Sequence, residues 1–172
     1  MCGDLRLSDA GSTVTVNGWV DRMRDNGGLL FLLVRDRAGV VQCTFDKSVN
    51  AELFDIAFTC RMEFVVAVKG KLAARDAAVI NPKMPTGEVE IIAEEIRILS
   101  KAETTPFEID DNKEVGDQTR LKYRYLDLRR PSMQRNMMLR HRVTQVARNY
   151  FDEQGFLEIE TPMLTKSTPE GA

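Results

Sequence analysis

Thr13-Val-Thr-Val-Asn-Gly-Trp-Val20, Asp21-Arg-Met-Arg-Asp-Asn-Gly-Gly28, Leu29-Leu-Phe-Leu-Leu-Val-Arg-Asp36 and, after a turn at Arg37 to Gly39, Val40-Val-Gln-Cys-Thr-Phe-Asp46 form the stretch that decides the fold. Val14, Val16 and Val20 alternate with Thr13, Thr15 and Trp19, the period of a strand with one buried face. Gly27-Gly28 turns the chain into a second strand, and Asp36-Arg37-Ala38-Gly39 turns it into a third. On the second strand Leu30, Leu32 and Val34 are expected to face inward. Phe31, Leu33 and Arg35 then lie on the other side, with Gln42 of the third strand beside them. An aromatic, an arginine and an amide on the open face of a curved sheet suit a nucleic-acid base.

Asn50 to Phe58 carries Leu53, Phe54, Ile56 and Ala57 at helical spacing without Gly or Pro, which predicts a short helix. Glu63 to Leu72 returns to strand alternation through Phe64, Val66 and Val68, with Gly70 placed for a bulge or bend. The breakers in Asn81-Pro-Lys-Met-Pro-Thr-Gly87 mark a loop, and Glu88 to Leu99 reads as a fifth strand. Three strands, a helix and two strands is the order of a mainly β, five-stranded Greek-key barrel of the OB type. Such barrels bind oligonucleotides or sugars over strands 2 and 3 and the loops 1-2 and 4-5.

Composition bounds the function. The chain has 172 residues, 43% hydrophobic and 29% charged, an ordinary globular balance with room for a small domain and part of another. Its longest apolar run, Leu29 to Val34, is too short to span a bilayer, so the cytoplasm and no membrane partner are expected. Cys2, Cys43 and Cys60 are odd in number and widely spaced, which offers neither a disulfide framework nor a metal knuckle. With His141 the only histidine, zinc and histidine-based nucleophile chemistry are not expected. A net charge of -2 excludes indiscriminate coating of nucleic acid, so any such site is local and selective.

From Lys101 to Thr119 the chain turns acidic and poor in large apolar residues, as a linker does; from Arg120 arginine dominates. Leu139, Val143, Val146, Ala147, Tyr150 and Phe151 fall at helical intervals, with Pro131 and Ser132 suited to the start and Gly155 to the residue past the end. Phe156 to Leu164 alternates like a strand that Pro162 ends or places at an edge.

Two residue sets carry the candidate chemistry. Arg22 and Arg24 are two apart before the Gly-Gly turn, expected in the loop between strands 1 and 2, where they would hold phosphates or base edges; Phe31 offers a stacking surface. Equally, both arginines are solvated surface charges and Phe31 is core, which the burial habit of strand aromatics slightly favours. The arginine-rich helix is either a solvated face or lines a tRNA or a partner subunit.

A resemblance bears on these choices. Arg120-Leu-Lys-Tyr-Arg-Tyr-Leu-Asp-Leu-Arg-Arg-Pro131 followed by Gly155-Phe-Leu-Glu-Ile-Glu-Thr-Pro-Met-Leu-Thr-Lys-Ser-Thr-Pro-Glu-Gly-Ala172 resembles the entry to the catalytic domain of class II aminoacyl-tRNA synthetases, including the helix-strand motif 1 that builds the dimer interface. The wording is most similar to bacterial-type aspartyl-tRNA synthetases, and Cys2-Gly-Asp-Leu-Arg6, Gly18-Trp-Val20, Arg35-Asp-Arg37 and Pro85-Thr-Gly-Glu88 fit that family's anticodon-binding barrel.

The resemblance implies an OB anticodon-binding domain over 1–101, a linker over 102–119 and the incomplete start of an α+β catalytic domain over 120–172. It implies that Arg22, Arg24, Phe31, Gln42, Arg75 and Glu90 meet the anticodon, with Asn26 and Ala78 tuning discrimination between aspartate and asparagine tRNAs. Ala73 and Val79 depart from the pattern, standing where relatives carry an arginine and a polar residue. Glu170 matches the carboxylate that holds the ammonium group of substrate aspartate. The family forms an aminoacyl-adenylate from aspartate and ATP with magnesium and transfers it to tRNA, as a homodimer through motif 1. Its motif 2 and 3 arginines lie beyond Ala172, so these residues alone are expected to hold no cofactor or metal and to make no aspartyl-adenylate. A free-standing OB module for single-stranded nucleic acid and a dimerisation fragment are the alternatives.

Overall fold

The hairpin foreseen at Gly27-Gly28 forms between β1 (Thr13–Asp25) and β2 (Leu29–Arg35) in the computed structural model, which describes residues 1–164 and 166. Both glycines sit at positive φ, 64° and 100°, which lets the chain reverse where a side chain would be strained. β3 (Val40–Asp46), helix α1 (Ala51–Phe58), β4 (Val65–Ala74) and β5 (Val89–Ser100) follow in the expected order. The strands close into a barrel in the order β1-β2-β3-β5-β4, with β3 and β5 parallel and the other pairs antiparallel. Closure leaves no open sheet edge. The barrel belongs to a unit spanning Met1–Thr105; Pro106–Ala172 forms a second.

Inside the barrel Leu30, Leu32 and Val34 are fully buried with Val20, Val66, Val68, Phe45 and Ile91, as the alternation requires. The side chain of Asn50 accepts the Leu53 N–H and caps α1, whose Leu53, Phe54 and Ala57 turn into this core. Gly70 marks a register shift between β4 and β5, and a Cβ there would stand 2.1 Å from the Ile92 carbonyl oxygen, so only glycine lets the strands approach so closely.

The first residues also join the barrel. Cys2 is buried, and its N–H donates to Asp36 at 2.6 Å. Burial pushes the Cys2 thiol up to about 12, helped by the Asp36 charge. Burial likewise raises Cys60 to about 11 and drives Cys43 upward. All three thiols are therefore protonated and shielded near neutrality. Ellman's reagent at about pH 8 should label none of them in the native protein within minutes and all of them in guanidinium chloride. Rapid native labelling of more than one would show that this packing is wrong.

In the second unit, α2 (Asp117–Lys122), α3 (Arg124–Asp127) and α4 (Pro131–Glu153) succeed one another, so the span expected as a linker ends within α2. Asp127 is fully buried, taking the Arg120 Nε at 2.9 Å and the Arg124 Nη1 at 2.6 Å. Arg130 donates from Nη2 to the Asp110 and Lys113 carbonyls, 2.8 Å each. Pro131 opens α4 and Gly155, at φ 81°, follows its end, as expected. Leu139, Val143 and Val146 line α4 yet stay exposed. The strand expected over Phe156 to Leu164 is absent from the described residues: no strand of this unit offers the ladder partner that a strand needs.

Candidate nucleic-acid interface

An irregularity in β1 positions the site. Val20 pairs with Val34, yet Arg22 pairs with Leu33, so Asp21 is an extra residue and the inward-outward phase flips there. Counted on from Val14, Val16 and Val20 without the bulge, Arg22 and Arg24 would point into the core. With it, Arg22 lies across from Leu33 and Arg24 across from Phe31, on the outer face. Leu33 in turn faces Gln42, and Phe31 faces Thr44. Arg22 and Arg24 are thus strand residues of β1 rather than loop residues as expected, because the strand runs to Asp25.

These side chains surround a cavity of about 580 Å³ lined by Arg22, Met23, Arg24, Asn26, Phe31, Leu33, Gln42, Arg75, Val79, Asn81 and Met84. Phe31 is half-buried on this outer face, where the alternation of β2 places it, and the alternative that it belongs to the core does not hold. Glu90 reaches the site through β5: its Oε2 accepts the Gln42 amide at 2.9 Å and the Thr44 hydroxyl. Asn26 lies on the cavity at the β1-β2 turn, its N–H donating to the Leu29 carbonyl at 2.9 Å. Ala78 is exposed in a short 3-10 turn (Ala77–Val79) and is not on the wall, although neighbouring Val79 is. Glu170 lies outside the described residues.

The β4-β5 loop brings Arg75 to the cavity. Thr86, buried, donates its hydroxyl to the Val40 carbonyl at 2.5 Å, and the Arg75 N–H donates to Glu88 O at 2.9 Å, which together tie the loop to β3 and to itself. Arg75 Nη1 lies 3.4 Å from the Gly87 carbonyl, while its Nε is buried with no hydrogen-bond partner among the described residues. Three arginines on the lining make the wall locally cationic in a chain of net charge -2.

Arg35, expected beside Phe31 and Gln42, is occupied elsewhere. It donates to Asp21 through Nη1 and to Glu63 at 2.7 Å through Nη2, both ion pairs largely buried. The cations of the cavity are Arg22, Arg24 and Arg75 instead. Thr44, Asn81 and Met84 were not foreseen; Thr44 had a legible signal, since two residues from Gln42 on a strand means the same face.

A closed five-stranded barrel with a cationic, aromatic-bearing groove over β2 and β3 is an oligonucleotide-binding architecture. The chain belongs to the family of OB-fold nucleic acid binding domains, which matches residues 14–99. Residues 116–172 match the family of class II tRNA synthetases (D, K and N). Over its whole length the chain is similar to aspartate–tRNA ligases. It is 58% identical over 171 residues to the aspartate–tRNA ligase of Ruminiclostridium cellulolyticum, covering 99% of this chain and 29% of that protein. It is 58% identical to the aspartate–tRNA(Asp/Asn) ligase of Symbiobacterium thermophilum, again over 99% of this chain and 29% of the relative. The chain thus spans 29% of the length of these relatives. Among solved structures, an asparaginyl-tRNA synthetase from Pyrococcus horikoshii complexed with asparaginyl-adenylate superposes with a TM-score of 0.79 at 26% identity, covering 94% of this chain and 36% of that one.

Proposed function

We propose that the barrel grips unstacked bases of a tRNA anticodon loop, as the N-terminal part of an aspartate–tRNA ligase that attaches aspartate to tRNA through an aspartyl-adenylate. The observation that carries this is the convergence of Arg22, Arg24, Phe31, Gln42 and Arg75 on one cavity of the outer β2-β3 face. In this reading Phe31 stacks on a base, the arginines hold phosphates or base edges, and Gln42 with Glu90 reads a base edge. Asn26 and Ala78 bias the choice between aspartate and asparagine tRNAs. Glu170 holds the ammonium group of substrate aspartate.

The division into a barrel over 1–101, a linker over 102–119 and the start of a catalytic domain from 120 belongs to the same proposal, as do a cytoplasmic location and a homodimer. The uncovered Leu139, Val143 and Val146 on α4 suit a subunit contact. ATP and magnesium would serve adenylate formation in the longer ligase. Among the described residues no group of His, Cys, Asp and Glu suits a metal ion, and no step through either cofactor is assigned to them. No helix among them is long and apolar enough to cross a membrane.

Titration of the 172-residue chain with an aspartate-tRNA anticodon stem-loop, followed by fluorescence anisotropy, tests the reading. Changing the central anticodon base should weaken binding about tenfold or more, the worth of one good base-edge contact. Equal affinity for an unrelated stem-loop, falling steeply with salt, would instead mark a sequence-blind nucleic-acid module.

A further inference from the structure

The bulge that turns Arg22 and Arg24 outward is not dictated by the ladder around it. Six residues of β1, Val20 to Asp25, face five of β2, Leu30 to Val34, and beyond Val20 β1 pairs with β2 alone among the described residues. The extra residue could sit at any of several positions on that ladder, and each one-residue step changes which side chains share a face. Placed at Met23, it would set Asp21 opposite Leu33 and Arg22 opposite Leu32, on the inner phase. That phase is not sealed at this level: Met23, which opposes Leu32, is 37% exposed, so a guanidinium there would still reach water. Desolvation alone therefore does not choose the register. The choice falls to a largely buried cluster, in which Arg35 donates from Nη1 to Asp21, the extra residue, and from Nη2 to Glu63 at 2.7 Å. The Glu63 N–H is tied to the Val20 carbonyl at 2.8 Å, so the anchor is fixed to the last residue before the bulge.

We propose that Asp21 and Arg35 are positioning residues for the nucleic-acid site: the Asp21 carboxylate, held by Arg35 against Glu63, pins the extra residue of β1 and so aims Arg22 and Arg24 at the cavity. The inference rests on the reading of that cavity as an anticodon-loop site and adds the device that sets its cations. It gives Asp21 an effect opposite in sign to its charge. A carboxylate beside a polyanion site repels the ligand, so simple electrostatics has its removal strengthen binding, whereas removal of the pin weakens it. The side chain and the residue also have separate effects. With Asp21 deleted, Val20 runs straight on to Arg22, and plain alternation opposite Val34 and Leu33 sets Arg22 and Arg24 on the outer face with nothing left to pin.

The test measures, at one fixed salt concentration, the affinity of the 172-residue chain and its variants for the aspartate-tRNA anticodon stem-loop. Asp21→Ala should bind about fivefold or more weaker, as expected when arginines are turned from the nucleic acid. Asp21→Asn, whose carbonyl still accepts the Arg35 hydrogen bond, and deletion of Asp21 should both stay within about twofold of wild type. In an Arg22→Ala, Arg24→Ala background, Asp21→Ala should cost less than about twofold, because the pin acts only through those arginines; a merely structural residue would cost the same in both backgrounds. Cross-strand backbone NOEs from Arg22 to Leu33 and from Arg24 to Phe31 should be present in wild type and in the deletion and lost in Asp21→Ala. Equal or tighter binding by Asp21→Ala, a deletion as weak as Asp21→Ala, or an equal loss in both backgrounds overturns the inference while leaving the anticodon reading standing. If wild type binds no anticodon stem-loop, the anticodon reading itself fails, and the NOEs still decide the pin: their persistence in Asp21→Ala overturns it.

Discussion

Glu63→Ala should destabilise the barrel by about 3–5 kcal/mol, the usual loss when one partner of a buried ion pair is removed and the other charge stays behind. Glu63 and Arg35 expose only 6% and 12% of their side chains, so water screens the pair little. The pair also sits beside the β1 bulge. The Glu63 N–H donates to the Val20 carbonyl at 2.8 Å, and Arg35 holds the extra residue, Asp21, with its other nitrogen. Such a loss is a large share of the roughly 5–15 kcal/mol that stabilises a domain. It is read from the urea midpoint at unchanged m-value. Glu63 adopts φ 65°, a strained value for a residue with a Cβ, so Glu63→Gly removes the carboxylate but relieves the backbone, and should recover about 1 kcal/mol of the loss. Pairing Glu63→Leu with Arg35→Met would strand the Asp21 carboxylate that Arg35 also holds, so an apolar replacement recovers stability only when Asp21→Asn is added. A loss below about 1 kcal/mol for Glu63→Ala would show that Arg35 is adequately served by Asp21 alone.

The barrel was legible in the sequence where a short-range rule governs. Leu30, Leu32 and Val34 announce an inner face by period, Asn50 announces a helix start by its side-chain acceptor, and Gly70 announces a bulge by lacking a Cβ. Long-range causes were illegible. The Asp21 bulge, which turns Arg22 and Arg24 outward, depends on a ladder to β2 that local alternation does not encode. The fate of Arg35 was decided by Glu63, 28 residues away, and no pattern along β2 distinguishes an arginine facing a ligand from one bound to a buried carboxylate. Phe156 to Leu164 alternates as a strand does, but alternation states only which faces a strand would have; hydrogen bonding to a neighbour makes it one, and none is present among the described residues of its unit. Thr44 was within reach, since the period that placed Gln42 on the outer face placed it there too.

Phe31→Ala should weaken binding of the aspartate-tRNA anticodon stem-loop about 5- to 150-fold, the roughly 1–3 kcal/mol that stacking on one base contributes. The same change should leave the fold nearly intact. Phe31 lies outside the buried core cluster, and its strand is paired on both sides, to Arg24 of β1 and to Thr44 of β3, so truncation opens no internal cavity. The expected stability change is that of a half-exposed strand position, about 1 kcal/mol or less. Function and folding are therefore separable at this residue, which is uncommon for an aromatic in a barrel strand. Phe31→Trp keeps a planar surface on the outer face and should hold affinity within about threefold, whereas Phe31→Leu keeps the apolar area but not the ring and should behave like alanine in binding. If the unfolding midpoint collapses in Phe31→Ala while affinity stays within about twofold, the ring serves packing, and the aromatic part of the proposed interface must lie elsewhere.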